Sequence, residues 1–437
     1  MESSAVYQSN VYVTMRKLCF DFLQLAIDSN TSLPISISSA DWQRLFDFCK
    51  RQALLGVGFS AVERLHRQGI ECPATLKMKW MALALQIERQ NEKLNGQCKT
   101  LAERLGHDGL SCCILKGQGN LLNYPEHLKL RRNPGDIDVW CVAPKEGLPI
   151  AVLTGKDRAE YVTYHGHRAV REYVMTQHKL AGNVLQHRLD GKGLQHRLDG
   201  KEKTPVIRYH HIEAPNMDGT PIEVHFRVGH INSPLRNRRM QRWFDNQAAV
   251  CMKNKTQMGF AVPTASVNVV YQMTHLFTHY FDEGLGLRQL MDYYFALKTW
   301  HHDVVERREL QSQGLLADGL GAPVMSREEV MRVLRSFGMG RFAAAVMWVL
   351  KEVFAMPAHY FICDPNEKEG RKLLDEIMRG GNFGQYDERG HKMKNGGMMK
   401  HGVWKLRRVM RLVGSYPEEA LWEPGFRVFH LMWRFAH

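Results

Sequence analysis

A pair of aspartates at the start of an apolar run is the feature that most constrains what this chain can fold into. Asp136 and Asp138 stand one residue apart, and residues 137–142 read IDVWCV. Residues two apart in a strand point to the same face, so the two carboxylates would lie side by side while Ile137 and Val139 face the core. Adjacent carboxylates repel each other unless a proton or a cation lies between them. The pattern therefore predicts a strand that presents a divalent-cation site, and a solvated acidic turn is the alternative.

A later run of the chain could supply a third carboxylate. Residues 221–228 read PIEVHFRV, in which apolar side chains alternate with Glu223, His225 and Arg227. This alternation predicts a strand with one apolar and one ionisable face. The preceding Asp218-Gly219 pair predicts a hairpin turn from a strand within residues 205–214. If the second strand lies beside the aspartate strand, Glu223 reaches the same cavity; an edge strand with a wet outer face is the alternative.

A glycine-bearing turn precedes both strands. Residues 112–121 read CCILKGQGNL, a short buried strand followed by Lys116, Gly117 and Gln118 and by the start of a helix. Backbone N–H groups at such a turn can bind a phosphate, and Lys116 adds a positive charge. Glycine turns are common after strands, so the order of the three elements is more informative than any one of them.

The remaining sequence divides by pattern into helical and mixed regions. Residues 1–106 and 251–437 show apolar residues at helical spacing, whereas residues 107–250 contain short strand-like runs, including 168–175. We therefore expect an N-terminal helical region, a mixed core and a C-terminal helical domain with these bounds. Residues 185–193 are repeated as 194–202 with one change, which predicts a loop insertion near residues 181–204.

Composition narrows the class of partner and the compartment. The 437 residues carry a net charge of +14, which favours anionic partners such as nucleotides or RNA, or else marks a soluble basic protein. The nine cysteines show no CxxC spacing, which favours free thiols in a reducing compartment. Without a membrane-length apolar run or a secretory signal pattern, we expect a cytoplasmic protein with no membrane partner.

The three elements, in this order, resemble the DNA polymerase β-like nucleotidyltransferase superfamily. Its pattern is a strand and a small-residue turn, then an acid-x-acid strand, then an acid on a later strand. The chain is closer still to an uncharacterised bacterial branch, through Lys116-Gly117, Tyr124-Pro125, the run from Arg132 to Asp138, EVHFR at 223–227 and THLFTHYFDEGLGLRQLMDYYFAL at 274–297. One departure is Gln118, which stands where the wider superfamily usually has serine.

The resemblance implies a fold, a reaction and a set of site residues. The fold would be α+β, with a central mixed β-sheet nucleotidyltransferase core flanked by N-terminal and C-terminal helical regions. The reaction would move an NMP group, AMP above all, from an NTP to a hydroxyl acceptor with Mg²⁺ or Mn²⁺ and release pyrophosphate. The implied catalytic and metal-binding residues are Asp136, Asp138 and Glu223. The implied nucleotide-binding residues are Lys116, Gly117, Gln118 and Arg132.

Several of these residues have a structural alternative. Arg132 could equally form an ion pair with the carboxylates of Asp136 and Asp138, and His225 could orient Glu223, contact the acceptor, or be structural. Arg288 and Asp292, four residues apart, could line the acceptor site with Arg227 or form a helix ion pair. His275 and His279 also have metal-ligand spacing, but no HExxH-type acid accompanies them. The acceptor stays open among a small molecule, a protein and RNA.

Two other functions fit part of the sequence. Metal-dependent glycosyltransferases also use an acid-x-acid pair, but they usually begin with a nucleotide-binding sheet, and here about 105 helical residues come first. A non-catalytic nucleotide- or RNA-binding module with a degenerate site is the second alternative. The presence of all three carboxylates disfavours it, and Gln118 in the turn favours it.

Overall fold

The fold combines many helices with one mixed sheet, as the resemblance predicted. The computed structural model describes residues 2–27, 33, 37–154, 158–189, 205–313, 324–387 and 406–436. The first helices are α1 (Glu2–Ile27), α2 (Ser39–Arg51), α3 (Leu55–Arg67), α4 (Ala74–His107), α5 (Gln118–Leu121), α6 (Glu126–Lys129) and α7 (Gly166–Leu189). They are followed by α8 (Pro234–Lys253), α9 (Ala265–Asp282), α10 (Leu287–Ser312), α11 (Arg327–Ser336), α12 (Gly340–Phe354), α13 (Glu367–Gly380) and α14 (Pro417–Ala436). No helix in these described ranges is both long and apolar enough to span a membrane.

A four-stranded sheet carries the residues that the sequence singled out. Its strands are β1 (Ser111–Ile114), β2 (Ile137–Val142), β5 (His211–Met217) and β6 (Thr220–His225). They lie in the order β1-β2-β6-β5. Strands β2 and β6 run parallel, whereas β1 and β5 are antiparallel to their neighbours. The sheet is therefore mixed, and the α+β fold class is confirmed.

The register of the two central strands brings two of the predicted carboxylates together. Asp138 of β2 lies opposite Glu223 of β6, and Val139 lies opposite Val224. Both valines are buried, so the apolar alternation of each strand faces the core as predicted. The acidic side chains consequently share the other face of the sheet.

The predicted hairpin turn is present, and α11 begins with a side-chain cap. The β5–β6 hairpin closes through Asp218 and Gly219, both with positive φ, which is the backbone twist that a two-residue hairpin turn requires. Ser326 and Glu329 form the reciprocal capping box of α11. A separate hairpin of β3 (Leu148–Thr154) and β4 (Arg158–Tyr164) was not anticipated from the sequence.

The strand expected over residues 168–175 was wrong. These residues belong to helix α7, in which Ala169, Val170, Tyr173 and Val174 are buried. Their spacing of three and four residues is that of a helix face, which the expectation of a strand overlooked. Of the loop insertion expected near 181–204, residues 181–189 instead continue α7, and residues 190–204 lie outside the described ranges.

The chain forms two compact units, each with its own core. The sheet unit comprises Leu94–Gly119, Gly135–Thr264 and Trp422–His437. The helical unit comprises Met1–Lys93, Asn120–Pro134 and Ala265–Leu421. In the helical unit, α1 packs on α3 and α12, and α9 packs on α10. The domain bounds expected at residues 106 and 250 stay a prediction.

Candidate active site

The turn after β1 is built to approach β2 closely. Gly117 has a φ of +54°, in the left-handed region that glycine tolerates best. A Cβ on Gly119 would lie 2.7 Å from the carbonyl oxygen of Ile114, so only glycine lets α5 start this close to the strand. Leu115 also donates its N–H to the carbonyl of Asp138 at 2.9 Å. These backbone contacts bring Lys116 beside the start of β2.

Asp138 lies at the centre of a buried ionic cluster. Its side chain is 2% exposed, and its Oδ1 lies 2.7 Å from the Lys116 Nζ and 2.8 Å from the His225 Nε2. The sequence predicted that Lys116 binds a phosphate, and in this structure its ammonium group contacts Asp138. The carboxylate thus has two cationic or donor neighbours from the chain itself.

These neighbours set the ionisation of the cluster. Burial alone would raise the pKa of Asp138, but the charge of Lys116 and the hydrogen bond from His225 outweigh it and hold the pKa well below its usual range. Burial would likewise lower the pKa of His225, but its hydrogen bonds to Asp138 and Glu223 raise it. Asp138 is therefore an anion with a strongly bound partner at neutral pH.

The pKa of Asp136 is shifted in the opposite direction from that of Asp138. It is half-buried, just before the first residue of β2. The negative charge of Asp138, together with burial and the more distant Glu223, raises the pKa of Asp136 to about 6, although Lys116 opposes the shift. This repulsion is the penalty that the aspartate pair was expected to carry, and a bound cation would remove it.

Glu223 completes the acidic side of the cluster. Its Oε2 lies 3.5 Å from the His225 Nε2 and 3.3 Å from the His211 Nδ1, and its side chain is 24% exposed. One ligand atom each of Asp138, Glu223 and His225 lie within 4.8 Å of one another, a grouping that could hold a metal ion. The third strand acid therefore lies where the sequence expected it.

Sequence reasoning missed two further residues at this place, His210 and His211. His211 lies opposite His225 in the register of β5 and β6. His210 precedes the strand in a bend, and its carbonyl accepts the N–H groups of Phe226 and Arg227, both at 3.1 Å. We call His210, His211 and His225 the histidine cluster. The only signal in the sequence was the His-His pair itself.

Burial controls the charge of the two additional histidines. It lowers the pKa of His211 to about 2, helped by the nearby His225. It lowers the pKa of His210 well below the usual range, helped by His211 and His230. Both imidazoles are therefore neutral at physiological pH.

Two other predicted residues of the sheet unit have their own contacts. The Gln118 side chain is buried and donates to the Asn95 Oδ1 at 2.8 Å. Arg227 lies beyond the end of β6, donates to the Tyr209 carbonyl at 2.7 Å and lies over the Tyr209 ring. Their assignments to nucleotide and acceptor stay predictions.

The remaining predicted residues meet in the helical unit. Arg132 donates to both carboxylate oxygens of Asp292, from Nε at 2.7 Å and from Nη2 at 2.8 Å. Tyr124 donates its hydroxyl to the same carboxylate at 2.6 Å, and Arg288 donates to the carbonyl of Asn133 at 3.0 Å. Arg132 is therefore in an ion pair with Asp292, whereas its ion pair with the Asp136 and Asp138 carboxylates stays a prediction. The rings of His275 and His279 are in contact, but they are not among the three-ligand groupings found in the described residues.

The sheet unit contains a cavity of about 490 Å³. Its lining includes Tyr209, which precedes His210 in the chain, and Arg227, which lies two residues after His225. Its lining also includes aromatic rings of α14 and arginines of α8 and of the segment after β6. The residues that define this character are Tyr209, Trp422, Phe426, Phe429, Arg227, Arg238 and Arg242. Such a lining suits a ligand with a planar ring and negative charge.

We expect Asp136→Asn to stabilise the metal-free protein by up to about 3 kcal/mol at pH 8. The folded state raises the pKa of Asp136 from 3.8 to about 6, so it binds a proton more tightly than the unfolded chain. The contribution of Asp136 to stability should then fall as pH rises from about 4 to about 6 and stay level above that. The variant avoids this loss, so its advantage should be smaller at pH 5. Urea unfolding in EDTA at pH 5 and pH 8 measures the difference in stability between the variant and the natural protein. A difference that is the same at both pH values, or larger at pH 5, would contradict the raised pKa of Asp136.

Comparison with known proteins agrees with the sequence motifs. The sequence model of a family described as "Uncharacterised nucleotidyltransferase" matches residues 38–314, which is more than half of the 437 residues. The match includes the turn after β1, the aspartate strand and the Glu223 strand. Searches of curated proteins and of solved structures each gave no significant match. The family predicted from the sequence is thus confirmed. The chain belongs to this family of uncharacterised nucleotidyltransferases, and its membership supports nucleotidyl transfer from an NTP as the general activity.

Proposed function

We propose that this protein transfers an NMP group, AMP above all, from an NTP to a hydroxyl acceptor and releases pyrophosphate. Asp136, Asp138 and Glu223 would hold Mg²⁺ or Mn²⁺. The observation that carries the proposal is the register of β2 and β6, which sets Asp138 beside Glu223 on one face of the sheet. Family membership supplies the reaction class.

The donor set fits a hard divalent cation. Three carboxylates are gathered at the start of β2 and on β6, and their mutual repulsion is visible in the raised pKa of Asp136. Oxygen ligands are those that Mg²⁺ prefers, and Mg²⁺ usually binds one or two carboxylates together with substrate phosphates. When bound, such ions supply charge stabilisation to the attacking and leaving oxygens of a phosphoryl transfer.

The chain's own side chains supply the remaining chemistry. In the reaction, the acceptor oxygen forms a bond to the α-phosphorus, and the bond from that phosphorus to the bridging oxygen of the β-phosphate breaks. The hydroxyl proton passes to Glu223, which is half-buried and reachable from solvent. Lys116 offers its ammonium to the phosphates, since it sits at the glycine turn and also contacts Asp138.

The cavity lined by Tyr209 and Arg227 supports an acceptor that carries a planar ring and negative charge. It lies in the same unit as the carboxylates and adjoins the segment of His210 and His211. Arginine guanidinium groups recognise anions, and the rings of α14 provide a stacking surface. An acceptor search should begin with cell-extract fractions enriched in aromatic anions.

The direct test incubates the protein with each α-labelled NTP, Mg²⁺ or Mn²⁺, and a cell extract. We expect label on an acceptor and pyrophosphate in equal amounts, with ATP the best donor and no product in EDTA. Asp136→Asn serves as the inactive control, because its gain in stability excludes misfolding as the cause of lost activity.

The other outcomes correspond to the other functions. Binding of NTP without pyrophosphate or labelled product would replace transfer with a non-catalytic nucleotide-binding role. Labelled sugar transfer from a nucleotide sugar, with no product from NTP, would identify a glycosyltransferase instead.

A further inference from the structure

The histidine cluster has the spacing of a transition-metal site. The ring centroids of His210 and His211 lie 4.5 Å apart, those of His211 and His225 5.1 Å, and those of His210 and His225 5.4 Å. Three imidazoles bound tetrahedrally to one ion with Zn–N bonds of about 2.0–2.1 Å would have ring centroids about 5 Å apart. One nitrogen of each ring already lies within 4.8 Å of one nitrogen of the other two.

The backbone explains why three histidines converge here. His211 and His225 are a directly opposed cross-strand pair, so their side chains stand on one face of the sheet. Consecutive residues of a strand point to opposite faces, but His210 is outside the strand, in a bend. The two hydrogen bonds to its carbonyl from residues 226 and 227 hold that bend beside the end of β6.

Buried nitrogens of the cluster have no hydrogen bond among the described residues. They are Nδ1 of His210, Nδ1 of His225 and both ring nitrogens of His211. His211 is 4% exposed and His225 is 2% exposed. The Nδ1 of His211 approaches Glu223 at 3.3 Å as an ion-pair contact, but its Nε2 has no such contact. Buried polar atoms without a partner are costly, so a cluster of them points to a bound species.

Asp138 holds one of these rings in a form suited to a metal. Its Oδ1 lies 2.8 Å from the His225 Nε2, which places a proton on that nitrogen, so Nδ1 is the nitrogen that would bind a metal on losing its proton. Histidines that bind metals almost always donate their other N–H to a carboxylate or carbonyl in this way. Because Asp138 also belongs to the proposed Mg²⁺ site, the two sites would share this carboxylate.

We propose that His210, His211 and His225 bind one transition-metal ion of the zinc class, at a site distinct from the Mg²⁺ site of the three carboxylates. Neutral imidazole nitrogens favour Zn²⁺ over Mg²⁺, which prefers oxygen ligands. Glu223 approaches both His211 and His225 and is a candidate fourth ligand, which the two sites would then share. This inference does not depend on nucleotidyl transfer, because metal binding is measured without substrate.

The test measures zinc bound to tag-free protein after dialysis against a zinc buffer. We expect about one zinc per chain for the natural protein, and Co²⁺ loaded in its place should show the visible absorption of a tetrahedral nitrogen site. His210→Ala should lose the bound zinc. The matched control is His66→Ala, whose ring is exposed and pairs with Glu71, and it should keep the zinc.

Two carboxylate variants separate this site from the Mg²⁺ site. Asp138→Asn should weaken zinc binding about ten- to a hundredfold, as expected for loss of a carboxylate that orients a histidine ligand. Asp136→Asn should leave zinc binding unchanged while it weakens Mn²⁺ binding. His210→Ala should lose zinc binding and leave Mn²⁺ binding unchanged.

Three results would overturn the proposal. The natural protein could bind no zinc, which would mean that only water satisfies the orphaned nitrogens. His66→Ala could lose as much zinc as His210→Ala, which would mean that binding is nonspecific. Co²⁺ could give only the weak spectrum of an octahedral oxygen site. Because the first and third results come from the natural protein, a folding defect in His210→Ala would not hide the answer.

Discussion

Replacing Asp138 with asparagine should lower NTP-dependent pyrophosphate release at least about 100- to 1000-fold, the range found when one preorganised group that stabilises transition-state charge is removed. Asp138 is the most buried of the three carboxylates and contacts both Lys116 and His225. Asparagine keeps the shape and can still accept the His225 hydrogen bond, but it carries no negative charge for a divalent cation. The measurement is the turnover rate at saturating NTP and Mg²⁺, with Mn²⁺ affinity as a second readout that needs no acceptor.

A matched control makes this result specific. Asp375→Asn removes an equally charged side chain that is 59% exposed and paired with Arg16 in the helical unit, so it should leave both turnover and Mn²⁺ affinity unchanged. Circular dichroism should show that both variants fold. Turnover by Asp138→Asn within about tenfold of the natural protein would place the catalytic cation elsewhere.

The outer strand offers a second comparison for Glu223. Glu213 of β5 is the cross-strand neighbour of Glu223, but it is exposed, whereas Glu223 is half-buried beside His211 and His225. If turnover depends on the contacts of Glu223 with the ionic cluster, and not merely on negative charge on this part of the sheet, Glu223→Gln should reduce turnover and Glu213→Gln should not. Equal losses would remove Glu223 from its proposed role as the base.

The alternation of the two central strands was predictable, but their pairing was not. Period-two patterning alone indicated that Asp138 and Glu223 each face away from an apolar layer. That β2 and β6 are parallel neighbours is a long-range fact with no local signal. From the sequence, their adjacency was only the condition under which Glu223 would reach the same cavity. For Lys116, the positive charge was evident from the sequence. Its contact with Asp138 was not, because that contact depends on how closely the glycine turn approaches β2.

The misread and missed residues share a physical cause. Residues 168–175 were expected to form a strand, yet four side chains of that stretch are buried at helical spacing in α7. His210 joins the histidine cluster only because the chain bends before β5, and a bend is not visible in residue types. Tertiary context decided each case, as expected where local preferences are weak.

Breaking the Arg132–Asp292 pair should be the largest stability loss from a single substitution at the predicted site residues. Both side chains are 5% exposed, and the guanidinium makes two hydrogen bonds to the carboxylate. Asp292→Ala would leave Arg132 buried without its counter-charge and remove the acceptor of the Tyr124 hydroxyl. We expect a loss of about 3–5 kcal/mol, measured by urea unfolding. Lys17→Ala, which removes an exposed pair with Asp21 in α1, should cost at most about 1 kcal/mol.

A double variant can separate the structural role of Arg132 from a role in nucleotide binding. Arg132→Met combined with Asp292→Leu removes both charges, and replacing a buried pair by apolar residues of similar volume is often neutral for stability. The double variant should therefore regain most of what Asp292→Ala loses. If it also regains normal NTP affinity, the guanidinium serves only the fold. If it folds but binds NTP at least about tenfold more weakly, Arg132 contributes to the nucleotide site as the resemblance implied. A double variant as unstable as Asp292→Ala would show that packing around Tyr124, rather than the charge pair, dominates this part of the helical unit.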